Sequence, residues 1–195
     1  VVGNFDQARL DAMIDQYFGP LKTPAGTIPK VTVVEPPRTG PKSVNTYGPN
    51  VPLPALAITW LAPAAADKDT PALTVLDAVL SAGKSSRLYD SLVYDQKIAQ
   101  SVFSSAPNNA QPGLFYVGAV MAGGKTVAQG EAALRAQIAR VRDGLVTPAE
   151  LAEAKAGLLA DAVRRREEID GRGFALGYAL ETEGDAAVAN TALAK

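Results

Sequence analysis

An α+β fold, a largely antiparallel sheet covered by helices on one face, is what three features of this 195-residue sequence predict. Segments that alternate apolar and small or polar residues, such as Ala55 to Leu61, stand beside segments with a 3.6-residue apolar period, such as Leu73, Leu76, Val79 and Leu80. Two further strand-like runs, Ile98 to Ser105 and Leu114 to Val120, are joined by only the Pro107–Pro112 loop, which suits antiparallel neighbours. Apolar residues make up 47% of the chain, enough for a substantial core. No repeat or low-complexity tract divides it, so residues 1–195 read as a single domain. The chain opens on the apolar pair Val1-Val2 without a Met, and is expected to be excised from a longer protein.

The elements follow in order. Val1 to Gly3 reads as the end of a strand, and Asp6 as the cap of a helix through Leu10, Ile14, Tyr17 and Phe18. Residues 19–30, rich in Pro, Gly and Thr, read as a surface connection. Val31 to Glu35 reads as a strand halted by Pro36-Pro37, and Ser43 to Tyr47 as a second short strand. In Ala55 to Leu61, Leu56, Ile58 and Trp60 share one face, which makes Trp60 a core residue. Asp67 to Pro71 opens a helix, with Pro71 suited to its first turn, and Gly83 stops it. Ser85 or Ser86 is placed to cap a further helix through Arg87, Leu88, Leu92 and Val93. After the strand pair, Val127, Leu134, Ile138 and Val141 share a helix face. Thr147-Pro148-Ala149-Glu150 is a capping box with Pro at the first helical position, and Leu151, Leu158, Leu159, Ala162 and Val163 continue that helix. Gly171 and Gly173 are expected to interrupt it, and Asp185 to cap a last short helix.

Composition excludes whole classes of chemistry. The sequence has no His and no Cys, so it cannot build a histidine- or thiolate-ligated zinc site. The same inventory removes the usual base beside a Ser nucleophile, and the Cys nucleophile itself. Nineteen basic side chains against 20 acidic ones leave a formal charge of -1, which gives no electrostatic case for nucleic acid. No apolar run approaches the roughly 20 residues that span a bilayer.

Gly124-Lys125-Thr126 follows a strand and precedes a helix, as a phosphate-cradling loop does, but Ala119 stands where the motif needs its first Gly. Gly83-Lys84-Ser85 fails in the same way, with Ala78 at that position. Both read as turns rather than nucleotide sites. Glu150 reads as a capping residue, and Asp161, Glu167, Glu168 and Asp170 as salt-bridged helix surface. The most informative stretch is Ser81 to Tyr89, a helix–glycine–cap–helix connection. Its candidate substrate-binding residues are Gly83, Lys84, Ser85, Ser86 and Arg87, whose amides and cations suit an extended peptide or a carboxylate. The competing reading binds Arg87 to its own domain.

Several of these segments, in this order, resemble the pitrilysin-type zinc peptidases, the group that includes insulin-degrading enzyme and mitochondrial processing peptidase. Val1-Val2-Gly3-Asn4-Phe5-Asp6 is similar to that family's Val-Gly-Asp-Phe-Asp segment, and Tyr17-Phe18-Gly19 to the Tyr-Phe-Gly that follows. Trp60-Leu61-Ala62-Pro63, Ser86 to Tyr89, Ile98 to Val102 and Thr147 to Lys155 match later landmarks, so the resemblance spans nearly the whole chain.

The resemblance implies the second, non-zinc-binding domain of one half of such a peptidase. In this family two halves, each of two similar α+β domains, close around an extended polypeptide. Zinc is expected in the neighbouring domain of the parent protein and none in this chain, since the inverted His-x-x-Glu-His motif is absent here. The expected partners are that zinc-binding domain, the opposite half and a polypeptide substrate. Val93 and Gln100 stand where second halves carry an Arg and a Tyr, which favours the second domain of the catalytic half, or of an inactive homologue. A bacterial parent is expected, in the periplasm rather than the cytoplasm. The alternative is a scaffold domain of a catalytically inactive homologue, like the core subunits of respiratory complex III.

Overall fold

The computed structural model describes residues 1–27, 29, 32–106 and 109–191. Contacts divide the chain into two units, Val1–Pro49 and Asn50–Lys195.

The described residues of the first unit include the helix α1 (Gln7–Tyr17). Asp6 caps it as expected, its Oδ1 accepting the Arg9 N–H at 2.7 Å. Gly19 follows because any Cβ there would lie 2.4 Å from the Asp15 carbonyl oxygen. No residue of α1 is buried. The expected strand end at Val1 to Gly3 is absent, and so is the strand at Ser43 to Tyr47. Of the strand expected from Val31 to Glu35, Val31 lies outside the described residues and 32–35 have no regular structure. The physical reason is the lack of a ladder. A strand exists only through hydrogen bonds to a neighbour, Pro36, Pro37 and Pro41 remove donors, and Val33, Val34, Val44 and Tyr47 are all strongly exposed.

The second unit holds a three-stranded antiparallel sheet in the order β1 (Ala55–Ala62), β3 (Gly113–Met121), β2 (Ala99–Ser105). Residues 107 and 108 of the β2–β3 connection are outside the described residues. Register places Leu56 opposite Ala119, Ile58 opposite Val117 and Trp60 opposite Phe115. Phe115, Val117, Ala119 and Met121 are buried, while Leu114 and Tyr116 on the other face are exposed. One face of the sheet is therefore covered, as the alternation requires.

The cover begins with α2 (Thr70–Ser81), which packs on β2 and has Pro71 in its first turn. It ends at Ala82, followed by Gly83 in the left-handed region at φ +77°. Next comes a π-helical segment, Tyr89–Asp95, where an α-helix was expected. Its wider turn is seen in the Gln96 N–H, which donates to the Ser91 carbonyl at 3.0 Å. Leu92 within it and Leu88 just before it are fully buried. Neither serine caps it: the Ser86 hydroxyl donates back to the Gly83 carbonyl at 2.8 Å, and the Ser85 hydroxyl reaches Glu153 at 2.7 Å.

Helix α3 (Val127–Gly144) lies against β1 and β3 and drives Leu134 into the core beside Leu80, Leu88, Leu92 and Val117. Its cap, Thr126, forms a full capping box with Gln129, and Gly124 (φ +76°) makes the turn before it. The Gly-Lys-Thr sequence is thus a turn and a cap. Helix α4 (Pro148–Glu167) starts at the expected Thr147–Glu150 box and packs on α2. The break after it falls at Glu168, whose backbone is extended, and α5 (Ile169–Glu183) runs through Gly171 and Gly173 instead of stopping there. Gly171 is needed for close approach: a Cβ would lie 1.7 Å from the Arg165 carbonyl oxygen. Asp185 accepts the Ala187 N–H at 2.8 Å ahead of α6 (Val188–Thr191).

Candidate functional site

The turn between α2 and the π-helical segment carries all five residues singled out in the sequence. Gly83 reverses the chain, and Lys84 and Ser85 project into solvent. Ser86 is buried and Arg87 half-buried. Arg87 binds its own domain, the competing outcome. Its Nε lies 2.6 Å from Glu150 Oε1, and its Nη2 lies 2.9 Å from Oε2 and 3.0 Å from the Leu145 carbonyl. Leu145 itself turns the α3–α4 corner at φ +61°. A planar guanidinium across both carboxylate oxygens is the strong, directional form of ion pair.

Glu150 also accepts the Thr147 N–H and hydroxyl, both at 2.8 Å. Arg87 first, and the Thr147 amide second, hold its carboxyl down at about 2 against an ordinary 4.5. The same contact with Glu150 pushes the Arg87 guanidinium up. With Ser85 bonded to Glu153, the turn is fastened to the first two turns of α4 at two points. A small hollow of about 160 Å³ lies beside it, lined by Ala78, Ala82, Ser85, Glu150, Glu153 and Leu158. Among the described residues, Lys84 has no hydrogen bond or ion pair, so its ammonium is the cation the turn leaves available.

The Thr147–Glu150 spacing reports the cap alone. The second partner of Glu150 is 63 residues away, and no local spacing reports such a pair. A second concavity was not foreseen either. It is an apolar groove of about 650 Å³, walled by Trp60, Leu73, Leu76, Phe115, Ile138 and Val141. Trp60, expected in the core, is 37% exposed at the rim of this groove, its ring centroid 6.3 Å from that of Phe115. The stripes on α2 and α3 were legible, but not that they leave the end of β1 uncovered.

This chain lacks the imidazole and thiolate ligands that hold zinc. It has no His or Cys, and no three Asp or Glu residues converge among the described residues. Of the four acids expected to be salt-bridged helix surface, Asp161 pairs with Arg164, whereas Asp170 accepts the neighbouring Gly171 N–H instead of a cation's. No described helix is long and apolar enough to cross a membrane.

Comparison with known proteins agrees with this architecture. Residues 1–158 match the family described as "Peptidase M16 inactive domain". The chain is 28% identical over 171 residues to "Zinc protease PqqE" of Helicobacter pylori, covering 86% of this chain and 38% of that protein. A crystal structure of a protease from Helicobacter pylori superposes at a TM-score of 0.86 and 24% identity, over 93% of this chain and 44% of that one. The inactive peptidase domain of a zinc protease from Bordetella parapertussis gives 0.61 and 24%, over 72% and 75%. The chain thus spans less than half the length of the curated relative it matches. With more than half of its residues matched, and a covered antiparallel sheet shared with solved members of that fold, the chain belongs to the family of peptidase M16 inactive domains.

Proposed function

We propose that this domain is a non-catalytic wall of the substrate chamber of a bacterial zinc metallopeptidase, with the metal held by the neighbouring domain of the longer protein. The observation that carries this reading is an inventory. A chain related to a zinc protease has neither His nor Cys with which to hold zinc. What it contributes to proteolysis is therefore shape and contact. The turn Gly83, Lys84, Ser85, Ser86 and Arg87 is the segment assigned to the polypeptide, with Lys84 as its free cation and Arg87 as its internal anchor.

The test is a comparison of the full-length protein with residues 1–195 alone. The full-length protein is expected to bind zinc and to hydrolyse an unfolded polypeptide until a chelator is added. The isolated chain should do neither. Chelator-sensitive hydrolysis by residues 1–195 would end the reading.

A further inference from the structure

We propose that Glu150 is a positioning residue that, through Arg87, fixes the turn Gly83–Ser86 in the conformation presenting Lys84 to the polypeptide. This rests on the reading of the turn given above. It adds how the turn is held and which distant side chain governs it.

The turn has little to hold it from within. Gly83 has no side chain, Lys84 and Ser85 are exposed, and its one internal side-chain bond runs from the Ser86 hydroxyl to the Gly83 carbonyl. The other fastenings go to the α3–α4 corner: Arg87 to Glu150 and to the Leu145 carbonyl, and Ser85 to Glu153. Both ends of the principal clamp are rigid. Glu150 is fixed by the Thr147 amide and hydroxyl, and Arg87 sits between buried Ser86 and fully buried Leu88. A lysine on a frayed turn must be ordered when it binds, which weakens binding, whereas one on a clamped turn has less freedom left to lose. The fork of Arg87 supplies what a lysine there would not: two parallel bonds that set direction as well as distance.

The experiment is a double-mutant cycle on the full-length protein. The readout is Kd for a fluorescein-labelled, reduced and carboxymethylated protein, by anisotropy, with chelator present so that nothing is cut. Lys84→Ala is expected to raise Kd about threefold or more, the scale of an exposed charge contact. Glu150→Gln keeps a carbonyl oxygen for the Thr147 amide, so the α4 cap stays while the Arg87 clamp is weakened. It should raise Kd by a similar factor, and the double variant should bind no worse than Lys84→Ala alone. A merely structural Glu150 would lower Tm and leave Kd in place. If Glu150→Gln leaves Kd unchanged, or multiplies the effect of Lys84→Ala, the clamp is refuted while the turn's role stands. If Lys84→Ala itself leaves Kd unchanged, the role of the turn falls and the clamp with it. Should Glu150→Gln not fold, Arg87→Lys replaces it in the cycle, keeping the charge and losing the fork.

Discussion

Replacing Glu150 by Gln should flatten the acid limb of this domain's stability. The carboxyl sits at about 2 rather than 4.5, chiefly because the Arg87 guanidinium donates to it. Folded protein therefore holds this proton less readily than unfolded protein. The stabilisation is complete above about pH 4.5 and is lost as pH falls towards about 2. The full difference corresponds to at most about 3.4 kcal/mol, at about 1.36 kcal/mol per pH unit. Water reaches 32% of the Glu150 side chain and 18% of Arg87, and that screening reduces the expected contribution to about 1–2 kcal/mol. Urea unfolding of residues 1–195 across this acid range measures it. The wild-type chain should lose about 1–2 kcal/mol more than Glu150→Gln over the window, after which the two curves converge. Parallel curves throughout would refute the reasoning, since Arg87 would then be doing nothing for the folded carboxylate.

Two further substitutions test the core. Leu134→Ala removes a fully buried side chain that brings α3 onto the sheet, and should cost about 2–5 kcal/mol in the same urea assay; a loss below about 1 kcal/mol would mean that α3 does not close the core. Gly118→Ala places a Cβ 2.3 Å from the Phe103 ring and 2.6 Å from the Leu56 carbonyl oxygen, so about 1–3 kcal/mol is expected. Adding Phe103→Leu should recover only part of that, because the Leu56 oxygen belongs to the backbone of β1, and full recovery would show that β1 does not constrain the site.

What the sequence made legible is what local physics decides. The alternation in Ala55 to Leu61 became β1, and the Thr147–Glu150 box became the start of α4, because pleat and cap are set by residues within a few positions. Three misreadings share the opposite cause. Val33, Val34, Val44 and Tyr47 carry strand-forming side chains, but a strand is made by its partner, and the described residues of their unit supply none. The segment after Ser86 has a helical period, and Leu88 and Leu92 at i and i+4 would share the face of an ordinary α-helix, so the pattern that marks the helix does not report its π turns. The break near residue 170 was assigned to two glycines, whereas Gly171 is there to fit beneath a carbonyl that the break at Glu168 brings close.

The same division runs through the candidate site. Every residue of the turn was visible in the sequence, but its character was not, because that depends on which charges are already spent. Arg87 and Lys84 are both cations three positions apart on one turn. Arg87 is consumed by a carboxylate that also caps a helix, so its charge is cancelled close by and its freedom removed. Lys84 keeps both charge and solvent. Two residues that a motif would treat alike thus do opposite work, one fixing the backbone and the other facing outward. On the reading proposed above, a domain without zinc ligands contributes through side chains that hold a surface in place so that a few others can meet a polypeptide.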